Sequence, residues 1–131
     1  MIAGRRRSGI RRGLVALLLA VPAVLAAAMA EPDGARQREE VSFLLGYVDG
    51  SACDFYRNGK WHTAREAQVH LREKYRWLAA RERVVTAEDF IENAGSRSSL
   101  TGEAYAVRCG DGVRVAAAAW LRAELERLRA L

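Results

Sequence analysis

From Gly13 to Ala30 the chain carries no charged residue, and its Leu and Val residues crowd into the stretch from Leu14 to Leu25. Past Glu31 the apolar positions become periodic. Val41, Leu44, Leu45 and Val48 fall at i, i+3, i+4 and i+7, one stripe of an α-helix. The spacing predicts a helix from Arg36 to a stop at Gly50, behind a frayed tail that holds Pro32, Asp33 and Gly34. Phe55, Tyr56 and Trp61 flank Asn58-Gly59, a pair that tolerates positive φ at both centres of a type I′ turn, so residues 53–62 read as a β-hairpin. Thr63 to Glu66 is a capping box opening a second helix, with Ala67, Leu71, Tyr75 and Leu78 inward and an end near Arg83. Thr86 to Asp89 opens a short third helix that stops at Gly95. A Ser-rich loop over 96–102, a strand over 105–109 and a turn at Gly110–Gly112 follow. The last helix, over 116–131, has Trp120, Leu121, Leu125 and Leu128 at helical spacing. The order predicts an α+β fold of about four helices with a small antiparallel sheet, the hairpin plus one later strand.

The first thirty residues have the three parts of an export signal. Arg5, Arg6, Arg7, Arg11 and Arg12 precede the apolar run, and Ala28-Met29-Ala30 places small residues at −3 and −1 of a cleavage site. Residues 1–30 are therefore expected to be a cleaved signal peptide and 31–131 a single domain, periplasmic or secreted, with no stable membrane span after cleavage. A retained anchor is the competing reading, but the strongly apolar part is only about a dozen residues. No Cys directly follows the apolar run to carry a lipid, and no strongly apolar pair follows the arginines as the twin-arginine route requires.

Removing that segment changes the electrostatics. The whole chain is +5, but five of its 21 basic residues and none of its 16 acidic ones lie before Glu31. Residues 31–131 thus carry 16 of each sign and a formal charge of zero, which gives no footprint for nucleic acid. Residues 31–131 also hold both cysteines, Cys53 and Cys109. In an oxidising compartment one disulfide is the simplest outcome, with two buried thiols as the alternative. No C-x-x-C arrangement suggests redox chemistry.

Several short segments occur together in one order: Tyr56-Arg57-Asn58-Gly59, His70-Leu71 followed by Lys74-Tyr75, the run from Thr86 to Ile91, the Ser-rich loop closing in Gly102, Tyr105, and Trp120-Leu121. The ordered set, spanning about residues 36–129, resembles the YfeK-like family of small exported bacterial proteins, a domain of unknown function. The departures are mild: Tyr56 stands where an aliphatic is expected, and Thr101 where Ser is. The resemblance implies a periplasmic address and a one-domain fold. It supplies no reaction and no catalytic residue.

Two sets of side chains remain as candidates for chemistry. His62, Glu66 and His70 offer two imidazoles and a carboxylate to zinc, with Glu66 and His70 four apart on one helix face. Against this, Glu66 is engaged by its own capping box, and the row Glu66, His70, Lys74 reads as a solvated face. No Gly-x-Ser-x-Gly elbow accompanies Ser96, Ser98, Ser99 and Thr101, and no phosphate loop is present, so no cofactor is expected. The second set is aromatic and basic: Tyr56, Arg57, Asn58 and Trp61 on the hairpin, with Trp77. Because Tyr75 and Leu78 face the core, Trp77 points elsewhere. Tyr, Trp and Arg are the usual anchors of a partner contact. The expectation is a non-catalytic module of the cell envelope that binds a partner protein or cell-wall glycan. A small periplasmic hydrolase, zinc-dependent through His62, Glu66 and His70, is the alternative; no reaction motif supports an enzyme.

Overall fold

In a computed structural model of the chain, residues 31–131 are described, together with residues 2–4, 9 and 13. But for those few positions, the expected signal peptide lies outside the described residues. The elements in order are α1 (Glu31–Gly50), β1 (Asp54–Arg57), β2 (Lys60–His62), α2 (Ala64–Ala79), α3 (Ala87–Phe90), a π-helical stretch Ile91–Gly95, β3 (Ala106–Arg108), β4 (Val115–Ala116) and α4 (Ala117–Arg129). Among the described residues the fold is α+β: four helices, a four-stranded antiparallel sheet in the order β2-β1-β3-β4, and one disulfide, Cys53–Cys109. None of the helices among the described residues is long and apolar enough to cross a membrane.

The predicted stripes form the core. Val41, Leu44 and Val48 of α1 meet Leu71 of α2, Phe90, Ile91, Val107 of β3, and Leu121 and Leu125 of α4. The hairpin turn is as expected, with Asn58 at φ 49° and Gly59 at φ 81°, and both capping boxes are formed.

Several boundaries differ from the expectation. Residues 31–35 belong to α1 instead of a frayed tail. Its first half is held from outside: Gln37 Nε2 donates to the Tyr75 hydroxyl at 2.9 Å, and Glu40 accepts from Arg129 of α4 at 2.8 Å. Arg129 also pairs with Glu88 of α3, so one guanidinium ties three helices together. The second helix ends at Ala79, short of Arg83, because Glu82 turns left-handed at φ 56° and Arg83 N–H returns to the Leu78 carbonyl at 3.0 Å. A fourth strand, Val115–Ala116, pairs with Ala106 and Val107. Two residues are too few to show alternation, and the chain turns straight into α4.

The helical run stops at Gly95 as expected, but not through a left-handed conformation. Gly95 is the last residue of the π-helical stretch, where a Cβ would come within 2.8 Å of Leu121 Cδ1. Its small size, not its conformational freedom, lets α4 approach. Gly95→Ala should therefore destabilise the fold by about 1–3 kcal/mol through overpacking. Its Leu121→Ala double variant should recover part of that loss relative to the sum of the single effects, as measured by denaturant unfolding.

Candidate functional site

The hairpin alternates as strands must. Phe55 and Val107 are paired across β1 and β3 and are both buried, so Phe55 and Arg57 face the helices while Asp54 and Tyr56 face away. This divides the aromatic and basic cluster of the hairpin into different surroundings.

On the inner side Arg57 reaches α2. Its Nη1 lies 2.7 Å from His70 Nδ1, and His70 Nε2 lies 3.2 Å from the Tyr105 hydroxyl. Lys74, one helical turn further along α2, donates from Nζ to the same hydroxyl at 3.2 Å and to the Arg97 carbonyl at 3.0 Å. His70 and Lys74 are half-buried, so the row on α2 is not the solvated face that its composition suggests. Arginine keeps its protons, so His70 Nδ1 must accept and the ring hydrogen sits on Nε2. Burial, followed by the positive charges of Arg57, Lys74 and His62, holds the His70 pKa down to about 4, and the ring is neutral at pH 7. Burial and Arg57 also lower Lys74, and burial raises Tyr105.

These contacts do not assemble the zinc set proposed from spacing. His62 Nδ1 pairs with Glu66 at 3.4 Å, and Glu66 Oε2 caps Thr63 N–H at 3.0 Å. His70 turns its Nδ1 lone pair to Arg57, and among the described residues no three His, Cys, Asp or Glu gather as a ligand group. His70 is not free to serve a loop serine as a base, since both its nitrogens are engaged. The loop hydroxyls serve the backbone and the hairpin tip. Ser96 Oγ donates to Ile91 O at 2.8 Å. Asn58 donates to Ser98 Oγ at 3.1 Å and accepts from Thr101 Oγ1 at 2.7 Å. Asn58 is thus a tie between hairpin and loop.

The outer side is different. Tyr56 and Trp61 are directly cross-strand, with ring centroids 5.4 Å apart in an edge-on arrangement. The Arg114 guanidinium lies 3.8 Å over the Tyr56 ring and that of Arg108 4.1 Å over Trp61. Arg108 is 3.5 Å from Asp54, and the Tyr56 hydroxyl donates to Glu103 at 2.9 Å. Arg114 has no carboxylate partner among the described residues. Trp77 is 51% exposed, as its helical phase predicts, but it lies elsewhere. Arg81 stacks on it at 3.7 Å, and it borders a shallow hollow with Lys74, Asn93 and Ser99.

The family of unknown function DUF5329 matches residues 35–129. The chain belongs to this family. The uncharacterized protein YfeK of Salmonella typhimurium is 36% identical over 92 residues, which cover 70% of this chain and 71% of that protein. No solved structure matches. The disulfide, the His70 centre and the aromatic face all fall within the DUF5329 span.

Tyr105, Lys74, Arg108 and Arg114 were not among the sequence candidates. Tyr105 stood only in the set that carries the family resemblance; the signal that could have found it is that a buried aromatic hydroxyl must meet a polar partner. Arg108 follows once the disulfide sets Asp54 opposite it. Arg114, directly before β4, had none.

The depressed pKa of His70 has a definite sign. Between pH 6.5 and about 4 the unfolded chain takes up a proton at His70 that the folded protein refuses. Stability should be independent of this group above 6.5 and fall as the pH drops from 6.5 towards 4. Thermal unfolding of His70→Gln should lack this slope. Glu40 and Glu88, whose pKa values are lowered chiefly by Arg129, add their own loss only below about 4.5 in both proteins.

Proposed function

We propose that the protein is an exported, non-catalytic binding module of the bacterial cell envelope that contacts a partner protein or cell-wall glycan. The observation that carries this reading is the outer sheet face, where Tyr56 and Trp61 stand together with a guanidinium over each ring. Rings of this kind give large contact area with little conformational entropy to lose, and arginine adds directed hydrogen bonds. Export is supported by the arginine run, the apolar stretch and the Ala28-Met29-Ala30 site, and by the disulfide, which persists in oxidising compartments. The lack of a catalytic centre is supported by His70, whose ring is neutral and saturated with contacts to Arg57 and Tyr105.

The contact surface in this reading is the sheet face, with Asn58 holding the hairpin in place and Arg57 directed inward. Trp77 is separate from it. A photo-crosslinking residue at the exposed position Val113, in cells producing the full chain, should capture a defined envelope component. Arg114→Ala should abolish that adduct without lowering the melting temperature, whereas Trp77→Ala should leave it intact. The exported protein should have the mass of a chain that begins at Glu31. An adduct indifferent to Arg114→Ala removes the sheet face from the proposal, and a full-length cytoplasmic product removes export.

A further inference from the structure

Helices α1 and α2 run antiparallel: Gln37 meets Tyr75 at one end, and Arg65 lies 3.4 Å from Asp49 at the other. Between them they leave an open groove of about 470 Å³, within the usual range for small-molecule sites. The α1 wall is low there. It carries Ser42 and Gly46, and a Cβ at Gly46 would meet nothing within 4 Å. The α2 wall carries Gln68, Arg72 and Arg76, one helical turn after another, and Arg38 joins them from α1. Arg38 follows Gln37 in sequence and Arg76 follows Tyr75, so both stand at the same end of the groove. Arg72 is one turn, about 6 Å, further in.

Two features of this groove are not explained by the fold. Arg38, Arg72 and Arg76 are all exposed, and none has a carboxylate within 4 Å among the described residues. Glu39 and Glu73, next in sequence to Arg38 and Arg72, point about 100° away around their helices. Asp49, the one acid in the lining, is already paired with Arg65. One end of the groove is therefore a cluster of three guanidinia, and the other is closed by an ion pair. The second feature is Gln68. It is 2% exposed, and its carbonyl oxygen is the one buried side-chain oxygen or nitrogen among the described residues without a hydrogen-bond partner. An acceptor left in that state is a cost that packing does not account for. Its amide turns about a soft terminal torsion, which can present the oxygen to the groove.

We propose that the groove binds a phosphate ester of a small polyol: Arg38, Arg72 and Arg76 hold the phosphate oxygens, and a polyol hydroxyl donates to the Gln68 carbonyl oxygen. Guanidinium forks pair with phosphate oxygens two at a time. Three of them at one end suit a tetrahedral group better than a carboxylate with two oxygens. Phosphate alone would fill that end and leave Gln68 unmet. The single turn from Arg72 back to Gln68, about 6 Å, is spanned by a three-carbon polyol. The groove shares no residue with the sheet face, so this proposal and the envelope-contact reading fail separately.

Two sources share this chemistry, a free glycerol phosphate and the headgroup of a phospholipid. The side-chain amide resonances of Gln68 in the ¹⁵N-labelled protein can be followed against glycerol 3-phosphate, inorganic phosphate and glycerol. Saturable shifts are expected with glycerol 3-phosphate, at lower concentration than with inorganic phosphate, and none with glycerol. By calorimetry Arg72→Gln and Arg76→Gln should each weaken glycerol 3-phosphate about tenfold, the usual scale of one charge-assisted hydrogen bond. Arg83→Gln, which removes an exposed cation elsewhere, should not. Gln68→Leu should leave the melting temperature unchanged or higher, because it removes an orphaned acceptor, yet abolish the preference for glycerol 3-phosphate over inorganic phosphate. Gly46→Leu keeps every charge, narrows the groove and should weaken glycerol 3-phosphate as well. Flotation with phosphatidylcholine vesicles containing phosphatidylglycerol separates the sources. Flotation that Arg72→Gln abolishes assigns a headgroup, and absent flotation with binding of glycerol 3-phosphate assigns a free ester. Equal shifts with glycerol and glycerol 3-phosphate, binding of neither the free ester nor the vesicles, or unchanged affinity in both Arg72→Gln and Arg76→Gln would overturn the proposal. A preference that survives Gln68→Leu overturns the polyol contact, and if that variant fails to fold the exposed arginine variants decide.

Discussion

The pairing of β1 with β3, clamped by the Cys53–Cys109 disulfide, is the constraint on which the rest of the molecule depends. The bridge joins residues 56 apart in sequence, with Cα atoms 4.4 Å from each other, immediately beside the Asp54–Arg108 pair. Closing so long a loop removes chain entropy worth about 4 kcal/mol from the unfolded state. More important is what it does to register. Side chains alternate with period two, so a slip of one residue would send Phe55 outward and Tyr56 into the core. With the register held, Phe55 meets Val107, Tyr56 meets Trp61, and Arg57 comes to lie against His70 beneath Tyr105.

The two sides of one short strand then solve opposite electrostatic problems. Outside, Arg108 and Arg114 lie over aromatic rings, and Asp54 and Glu103 accompany them in contact with water. Inside, Arg57 and Lys74 are drawn from water and meet only neutral groups, and His70 responds by giving up its charge. The neutrality of residues 31–131 as a whole thus conceals a local excess of positive charge on the inner side of the hairpin. A formal count of charges could not show this, because it depends on which carboxylates reach which cations.

Local chemistry made much of the fold legible. The Asn58-Gly59 turn, the boxes at Thr63 and Thr86, the helical stripes and the cysteine pair all act through neighbours a few residues away or through simple parity. What escaped the sequence depended on distant contacts. The N-terminal part of α1 is anchored by Tyr75 and Arg129, residues 38 and 89 positions away from their partners. Gly95 ends the helical run as a glycine often does, but its need to be small comes from Leu121, 26 positions on, which local sequence does not show. His70 and Glu66 share a helix face as spacing requires, but their partners come from β1, β3 and the helix cap, so shared phase did not become a shared ligand set. Tyr56, Arg57 and Trp61 are neighbours in sequence, and strand alternation alone divides them between two faces; which face packs on the helices follows from the register with β3.

The sheet that carries these features ends in strands of three residues, Lys60–His62, and two, Val115–Ala116. A foreign strand needs a longer row of unpaired N–H and C=O groups to add itself to a sheet, and charged residues beside an edge discourage the attempt. Lys60 and Arg114 stand at these two margins. The molecule therefore presents neighbours with side chains and almost no backbone. It can crowd against other copies without templating the edge-to-edge assembly through which β-rich proteins aggregate.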